Sequence, residues 1–367
     1  MHTVRFFPIG NADTCLVELA NGRRALLDFA DTRDPYDDAD KRCDLVAELR
    51  RCLAGEKEID VVAFTHLDTD HTERAKEVFE LEHAAKYQGG DRVRIKTLWV
   101  PAAAILEVGV EGQARTLRAE ARHRFLEGRG IRVFSRPEAL DDFLLDWGIN
   151  PTDRRHLITD AGKLCPEFTL AADGVEFFVH SPFAERAGDG HVVVRNDAAL
   201  FLQATFEVGG RQTRLILSAD VGHAVIDDIV RVTRWHGNEE RLAWDIINVP
   251  HHSSYTSLAE EKGKEETEPG ENLKWLYEEQ GRPHGLLIST SWLIPTADTV
   301  QPPHRQAAAY YRRIARKHLG QYLVTMGEPN GIAPKPLVID IDWRGCTVRR
   351  RTGGSAAIVG GAAPRAG

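Results

Sequence analysis

Four of the six residues in the segment 66–71, His66-Leu67-Asp68-Thr69-Asp70-His71, can bind a divalent metal: His66, Asp68, Asp70 and His71. Two imidazoles and two carboxylates packed this closely suit a borderline ion such as zinc or manganese. An apolar run at 61–64 comes just before them, too short for a helix and consistent with a buried strand. Residues 72–79 carry helix formers, so the ligands are expected on a strand-to-helix turn. Side chains at 66, 68 and 70 share one face while the chain stays extended, and a tight turn then lets His71 reach the same point. A polar, solvated loop with some histidines is the plainer reading. So many ligands directly after a buried strand argue against it.

Strands that end in potential ligands recur in the second half. Residues 175–179 read as a strand ending at His180-Ser181-Pro182. Leu215-Ile216-Leu217-Ser218-Ala219 leads into Asp220, and a carboxylate so placed can bridge two cations ~3.5–4 Å apart. The strand 244–249 runs into Pro250-His251-His252-Ser253-Ser254, with Ser257 close behind. Pro302-Pro303-His304 precedes a helix expected to reach about residue 318.

The motif His-x-Asp-x-Asp-His resembles the first metal motif of the metallo-β-lactamase superfamily, usually His-x-His-x-Asp-His. With Asp in second place it is similar to the soluble domain of the ComEC-type DNA-uptake proteins. Further matches follow in order over most of residues 1–345. Gly10-Asn11-Ala12-Asp13 stands for Gly-x-Gly-Asp, and Leu26-Leu27-Asp28-Phe29-Ala30 for Leu-Ile-Asp-Gly-Gly. Ser218-Ala219-Asp220 stands for Thr-Gly-Asp, and Val249-Pro250-His251-His252-Ser253-Ser254 for Val-Pro-His-His-Gly-Ser. Pro302-Pro303-His304 stands for His-Pro-His. The acids and imidazoles are kept while several glycines are lost. The lysine that often precedes Val-Pro is Asn248 here.

The resemblance implies an α/β chain folded as a four-layer αββα sandwich with the metal site at one edge. It implies one or two divalent ions, zinc or manganese. His66 and Asp68 would hold the first, with His180 as third ligand or as a capping or core histidine. Asp70, His71 and His251 would hold the second, and Asp220 would bridge. Asp70, His252 and His304 would reach the reacting groups, His252 by ligating or by orienting. Asp13 and Asp28 either brace the metal loop from behind or are ordinary turn aspartates. Ser254 and Ser257 would hold a phosphoryl oxygen. Asp68 in place of His makes the first site harder and shifts preference toward manganese or magnesium. The implied activity is hydrolysis by a metal-bound hydroxide, of phosphodiesters in single-stranded DNA or a nucleotide. A thioester, lactone or amide hydrolase and a catalytically weak partner or sensor of the same fold are the alternatives.

The positioning elements read as follows. Residues 4–9, 15–19 and 24–29 are strands, the last two joined by an Asn21-Gly22 hairpin turn. Residues 41–53 form an amphipathic helix with Leu45, Val46, Leu49 and Leu53 on one face. The stretch around 101–170 reads as an insertion, 258–272 as a charged loop or lid, and 351–367 as a disordered Gly/Ala-rich tail. Arg115, Arg118, Arg122 and Arg129 fall on one helical stripe that either meets phosphates or forms a solvated, salt-bridged face. The 367 residues, with a formal net charge of −8, give no overall basic field for nonspecific nucleic-acid binding. Five scattered cysteines without a Cys-x-x-Cys pair imply a reducing cytoplasm. No run approaches the roughly 18 apolar residues of a membrane span, so no membrane partner is expected.

Overall fold

The computed structural model describes residues 1–183 and 195–349; the segments 184–194 and 350–367, with the tail expected to be disordered, lie outside the described residues. Alternation along the strands sorts their apolar side chains into layers. Along Val61–Phe64, Val62 and Phe64 face one layer of core while Val61 and Ala63 face another. In Arg211–Leu217, Leu215 and Leu217 share the layer of Val61, and Ile216 faces a third. Successive strand residues point to opposite faces, so a strand buried on both sides needs apolar residues at every position.

Two sheets result. The larger runs Gly345–Val348, Leu337–Asp342, His2–Phe6, Cys15–Glu18, Arg24–Leu27, Glu58–Ala63, Val93–Pro101, Ile131–Phe134, Ile158–Thr159, with Phe79–Glu80 also paired to Val93–Pro101. The second runs Gln321–Val324, Gly281–Ser289, Trp244–Asn248, Arg211–Leu217, Phe201–Val208, Val175–Ser181. Their inner faces meet through Val4, Phe6, Trp99, Phe177, Phe206, Ile246 and Ile288. Helices Leu45–Leu53, Gly112–Glu127 and Glu138–Asp146 cover the larger sheet. Helices His223–Trp235 and Arg305–Lys317 cover the second. The architecture is the four-layer αββα sandwich.

The sheets aim their strand ends at one place. Arg24–Leu27 and Glu58–Ala63 are parallel neighbours, as are Arg211–Leu217, Trp244–Asn248 and Gly281–Ser289. The loops leaving their carboxyl ends start with Asp28, Phe64, Ser218, Val249 and Thr290. Open parallel sheets place functional residues just beyond these ends.

Three local outcomes differ from the sequence reading. The first helix starts at Leu45, because the Asp44 side chain caps it by accepting from Ala47 N at 2.9 Å. Residues 72–79 are not one helix. Thr69–Thr72 and Ala75–Val78 are separate turns, split where Arg74 takes a left-handed φ of 60°. The charged segment 258–272 is tied to the helix Arg305–Lys317: Glu266 pairs with Arg313 at 2.7 Å, and the Lys262 ammonium donates to Thr299 O at 2.6 Å. The stretch 101–170 extends the larger sheet at its far edge with Ile131–Phe134 and Ile158–Thr159.

Arg118, Arg122 and Arg129 of the arginine stripe are committed to structure. Arg118 and Arg122 donate to the carbonyls of Glu107 and Ile105, and Arg129 pairs with Glu82 at 2.8 Å. Beneath it, the fully buried Glu120 accepts from Arg124 Nε at 2.6 Å and from the backbone N–H of Glu82 and His83 at 3.0 and 2.9 Å. Burial pushes the Glu120 carboxyl up, but Arg124 and those N–H groups outweigh it and hold it below its ordinary value. Removing one partner of a buried pair strands the other charge, so Glu120→Gln should cost ~3 kcal/mol at pH 7. The cost should shrink as pH falls below the unfolded glutamate value of ~4.3 and through the lower folded one. Urea melts at pH 7 and pH 3.5 check this, with Arg51→Ala on the exposed Arg51–Glu48 pair as a control expected to stay within ~0.5 kcal/mol.

Candidate metal centre

Hydrogen bonds from three segments pin the loop after Glu58–Ala63. Asp13 N donates to Asp70 O at 3.0 Å, Phe29 N to His71 O at 3.1 Å, and Leu200 N to Thr65 O at 3.1 Å. Asp28 ties the end of the hairpin to the same loop. Its carboxylate accepts from Thr65 N at 2.7 Å, from Thr65 Oγ1 at 2.6 Å and from His71 Nδ1 at 2.8 Å. That last bond fixes the ring so that His71 Nε2 faces inward.

Four groups converge there. One ligand atom each from Asp70, His71, Asp220 and His252 lies within 4.8 Å of the others. His71 Nε2 is 3.4 Å from Asp220 Oδ1. His252 Nε2 is 3.3 Å from Asp70 Oδ2 and 3.6 Å from Asp220 Oδ2. His252 Nδ1–H donates to Thr290 O at 2.8 Å, so this imidazole too turns its Nε2 to the centre, against Asp70 Oδ2. Asp13, Asp28 and His71 form a second, overlapping group.

A divalent cation fits this arrangement on two grounds. His66 Nε2, His71 Nε2, Asp13 Oδ1 and Asp220 Oδ1 are buried with no hydrogen-bond partner. Such atoms are costly unless something else satisfies them. The charges also do not balance: Asp13, Asp28, Asp70 and Asp220 surround imidazoles that carry no fixed charge. Burial alone would push His71 and His252 down, yet Asp28 and Asp220 raise His71 well above its ordinary value, and Asp220, Asp70 and Asp13 raise His252 to about 9. The same field would hold a cation. Burial pushes Asp13 up against the pull of His252 and His71, whereas Asp220 is held far down by His252 and His71 despite its burial.

The remaining sequence candidates are placed as follows. His66 lies beside the group, its ring centroid 3.8 Å from that of His71, with Nδ1 turned to Asp68 Oδ2 at 3.4 Å. Asp68 turns away from the group, its Oδ1 paired with Arg195. His251 stands at the mouth with 27% of its side chain exposed and Nε2 3.7 Å from Asp220 Oδ2; its neighbour His252 enters the group instead.

His180 is not brought to the centre. Phe177 and Val179 face the inter-sheet core, so alternation turns Phe178 and His180 outward toward the helix His223–Trp235. There His180 Nε2–H donates to Arg241 O at 2.9 Å, and Nδ1 accepts from Thr233 Oγ1 at 3.4 Å. Burial lowers this imidazole to about 4, so it stays neutral. His304 does not reach the centre with a free nitrogen either. Nε2–H donates to Val300 O at 3.2 Å, and Nδ1 accepts from Tyr255 N at 3.3 Å. Ser257 Oγ donates to Val221 O at 2.9 Å and Ser254 Oγ meets Thr256 Oγ1 at 2.8 Å, so neither hydroxyl is held for a phosphoryl oxygen.

Two of the lost glycines, at Ala219 and Ser253, sit on left-handed backbone with φ of 46° and 64°, while Ala12, Phe29 and Ala30 do not; Asp28 (φ 57°), His251 and His252 are left-handed as well. Gly10, which is retained, has φ of 81°, and a Cβ there would come within 2.9 Å of the Trp292 ring. Left-handed backbone costs a non-glycine residue ~1–2 kcal/mol. Thr290 and Arg195 had no ligand-like signal in the sequence; one acts through its carbonyl and the other from the far side of Asp68.

Two measurements follow from this geometry. Asp28→Asn should weaken manganese or zinc binding ~10–100-fold, because the His71 ring loses its fixed tautomer, while His180→Gln should leave affinity unchanged by calorimetry. Ala219→Gly should raise thermal stability by ~1 kcal/mol by relieving the left-handed alanine.

Solved structures similar to the chain include unliganded yeast PDE1, with 11% identity, a TM-score of 0.43, and coverage of 88% of this chain and 96% of that one. Another is the metallo-beta-lactamase SMB-1 in complex with mercaptoacetic acid, with 12% identity, a TM-score of 0.30, and coverage of 68% and 79%. SMB-1 bound to 2-mercaptoethanesulfonate gives 12% identity, a TM-score of 0.27, and coverage of 67% and 79%. No protein-family model and no curated protein matches the chain.

Proposed function

We propose that this chain is a divalent-metal-dependent hydrolase of phosphodiester bonds, with single-stranded DNA or a nucleotide as substrate. The observation that carries the reading is the convergence of Asp70, His71, Asp220 and His252 from three distant segments, with inward atoms left unsatisfied by protein. Two carboxylates beside two imidazoles suit a borderline ion such as zinc or manganese, and such an ion can hold a phosphoryl oxygen. The likeness of His-x-Asp-x-Asp-His to the DNA-uptake domain supports the same substrate class. Five cysteines, none paired, support a reducing, cytoplasmic setting. Among the described residues no helix is long and apolar enough to cross a membrane.

A bound divalent ion would lower the pKa of a water toward ~7 and offset charge on a phosphoryl oxygen. The protein's own part is to hold ring orientation and to move protons. Asp28 and Thr290 O keep the Nε2 atoms of His71 and His252 turned inward. His251, half open to solvent beside Asp220, is the imidazole placed to give a proton to the departing oxygen.

The test uses purified protein with manganese against bis(p-nitrophenyl) phosphate, a cyclic nucleotide and a single-stranded oligonucleotide, with a p-nitrophenyl ester series alongside. Phosphodiester cleavage that vanishes in Asp70→Ala and Asp220→Ala is the expected result. His251→Ala should lose ~10²-fold or more on alkyl leaving groups and much less on p-nitrophenolate, which leaves without a proton. Turnover of esters with no phosphodiesterase activity would overturn the substrate class, and no activity in either series would favour a partner or sensor.

A further inference from the structure

Arg195 does not belong to the set of metal-binding residue types, yet it is anchored to Asp68, in the ligand-dense motif. Its Nη1 pairs with Asp68 Oδ1 and donates to Leu67 O at 3.3 Å. Its Nε donates to both oxygens of Glu107, at 2.9 and 3.0 Å, and Nη2 lies 2.8 Å from Glu107 Oε1. The guanidinium is therefore clamped between two carboxylates, beside the loop that carries His66.

This changes what Asp68 can do. Both of its oxygens have protein partners, Oδ1 on Arg195 and Oδ2 facing His66 Nδ1 at 3.4 Å. The atoms aimed at the centre, His66 Nε2, His71 Nε2 and Asp220 Oδ1, have none. His66 Nδ1 accepts from Asp68 N at 3.3 Å and lies 3.4 Å from Asp68 Oδ2, so the Asp68 carboxylate is committed to Arg195 and to the outer side of the His66 ring and is not a ligand. With His180 on the outer face of its strand, a first ion would keep only His66 and a share of Asp220. Structural and catalytic sites for such ions take three or more protein ligands. A guanidinium, charged at every working pH, also repels a second cation from Asp68.

We propose that this chain holds one divalent ion, at Asp70, His71, Asp220 and His252, and that Arg195, by pairing with Asp68, takes away a carboxylate that a second ion would need. The proposal rests on the reading that the cluster binds a divalent ion at all. Arg195 acts here as a positioning residue that keeps Asp68 turned away from the centre.

Manganese titration of the full chain, read by bound equivalents and by electron paramagnetic resonance, tests it. One equivalent with the six-line spectrum of an isolated ion is expected for the wild type. Asp68→Asn should keep that equivalent, Arg195→Lys should keep it as well, and Arg195→Ala should admit a second, weaker one by freeing Asp68. The wild-type spectrum needs no variant to fold. Two equivalents with an exchange-coupled spectrum, falling to one in Asp68→Asn, would overturn the proposal while leaving the metal reading intact. No bound equivalent would overturn both.

Discussion

Buried negative charge is the constraint on which the arrangement of this molecule depends. Asp13, Asp28 and Asp220 are almost fully buried within one small volume, and Asp70 lies at its edge. Carboxylates taken out of water must be paired or must coordinate a cation. Only part of that need is met by protein: Asp28 is satisfied by Thr65 and His71, but Asp13 Oδ1 and Asp220 Oδ1 have no donor. The two long parallel segments of sheet can be read as the frame that brings these acids together against their repulsion. Asp28 and Asp220 come just after Arg24–Leu27 and Arg211–Leu217, whose ends are apolar on both faces, so those strands cannot shift without exposing core on one side.

The same logic separates the groups that serve the centre from those that resemble them. An imidazole is useful there only if protein fixes one nitrogen and the other faces the acids of the centre. His71 and His252 meet that condition through Asp28 and Thr290 O, with Nε2 turned to Asp220 and Asp70. His180 and His304 fail it because protein groups away from the centre occupy both nitrogens of each. His66 Nδ1 accepts from Asp68 N, while the Asp68 carboxylate is held by Arg195.

Much of the fold and the heart of the centre are legible in the sequence. The strand before 66–71, the acid after 215–217 and the paired histidines after 244–248 each announce themselves by an apolar run that stops at a ligand. What was not legible has physical causes. His180 also ends an apolar strand, but whether a residue faces inward depends on register, and Phe177 and Val179 occupy the inner face on either side of its neighbour. The choice between His251 and His252 turns on backbone dihedrals: with both residues left-handed, the second imidazole enters the group and the first remains at the rim. Arg195 was silent because its role is set by a partner 127 positions away in sequence.

The glycine substitutions show how such a centre tolerates local strain. Ala219 and Ser253 adopt left-handed backbone where the resembling motifs carry glycine. Each is held by contacts that a slack loop would lose. Ala219 O accepts from His251 N at 3.0 Å, linking the two ligand loops directly. Ser253 Oγ meets Ser289 Oγ at 2.9 Å and the Tyr322 hydroxyl at 2.7 Å, under the strand end that supplies Thr290. Strained backbone persists only where surrounding structure over-determines it. Losing glycine here therefore does not dismantle the centre. It exchanges conformational ease for bonds that fix where His252 and Asp220 point, and that fixing is what a site built from mutually repelling acids requires.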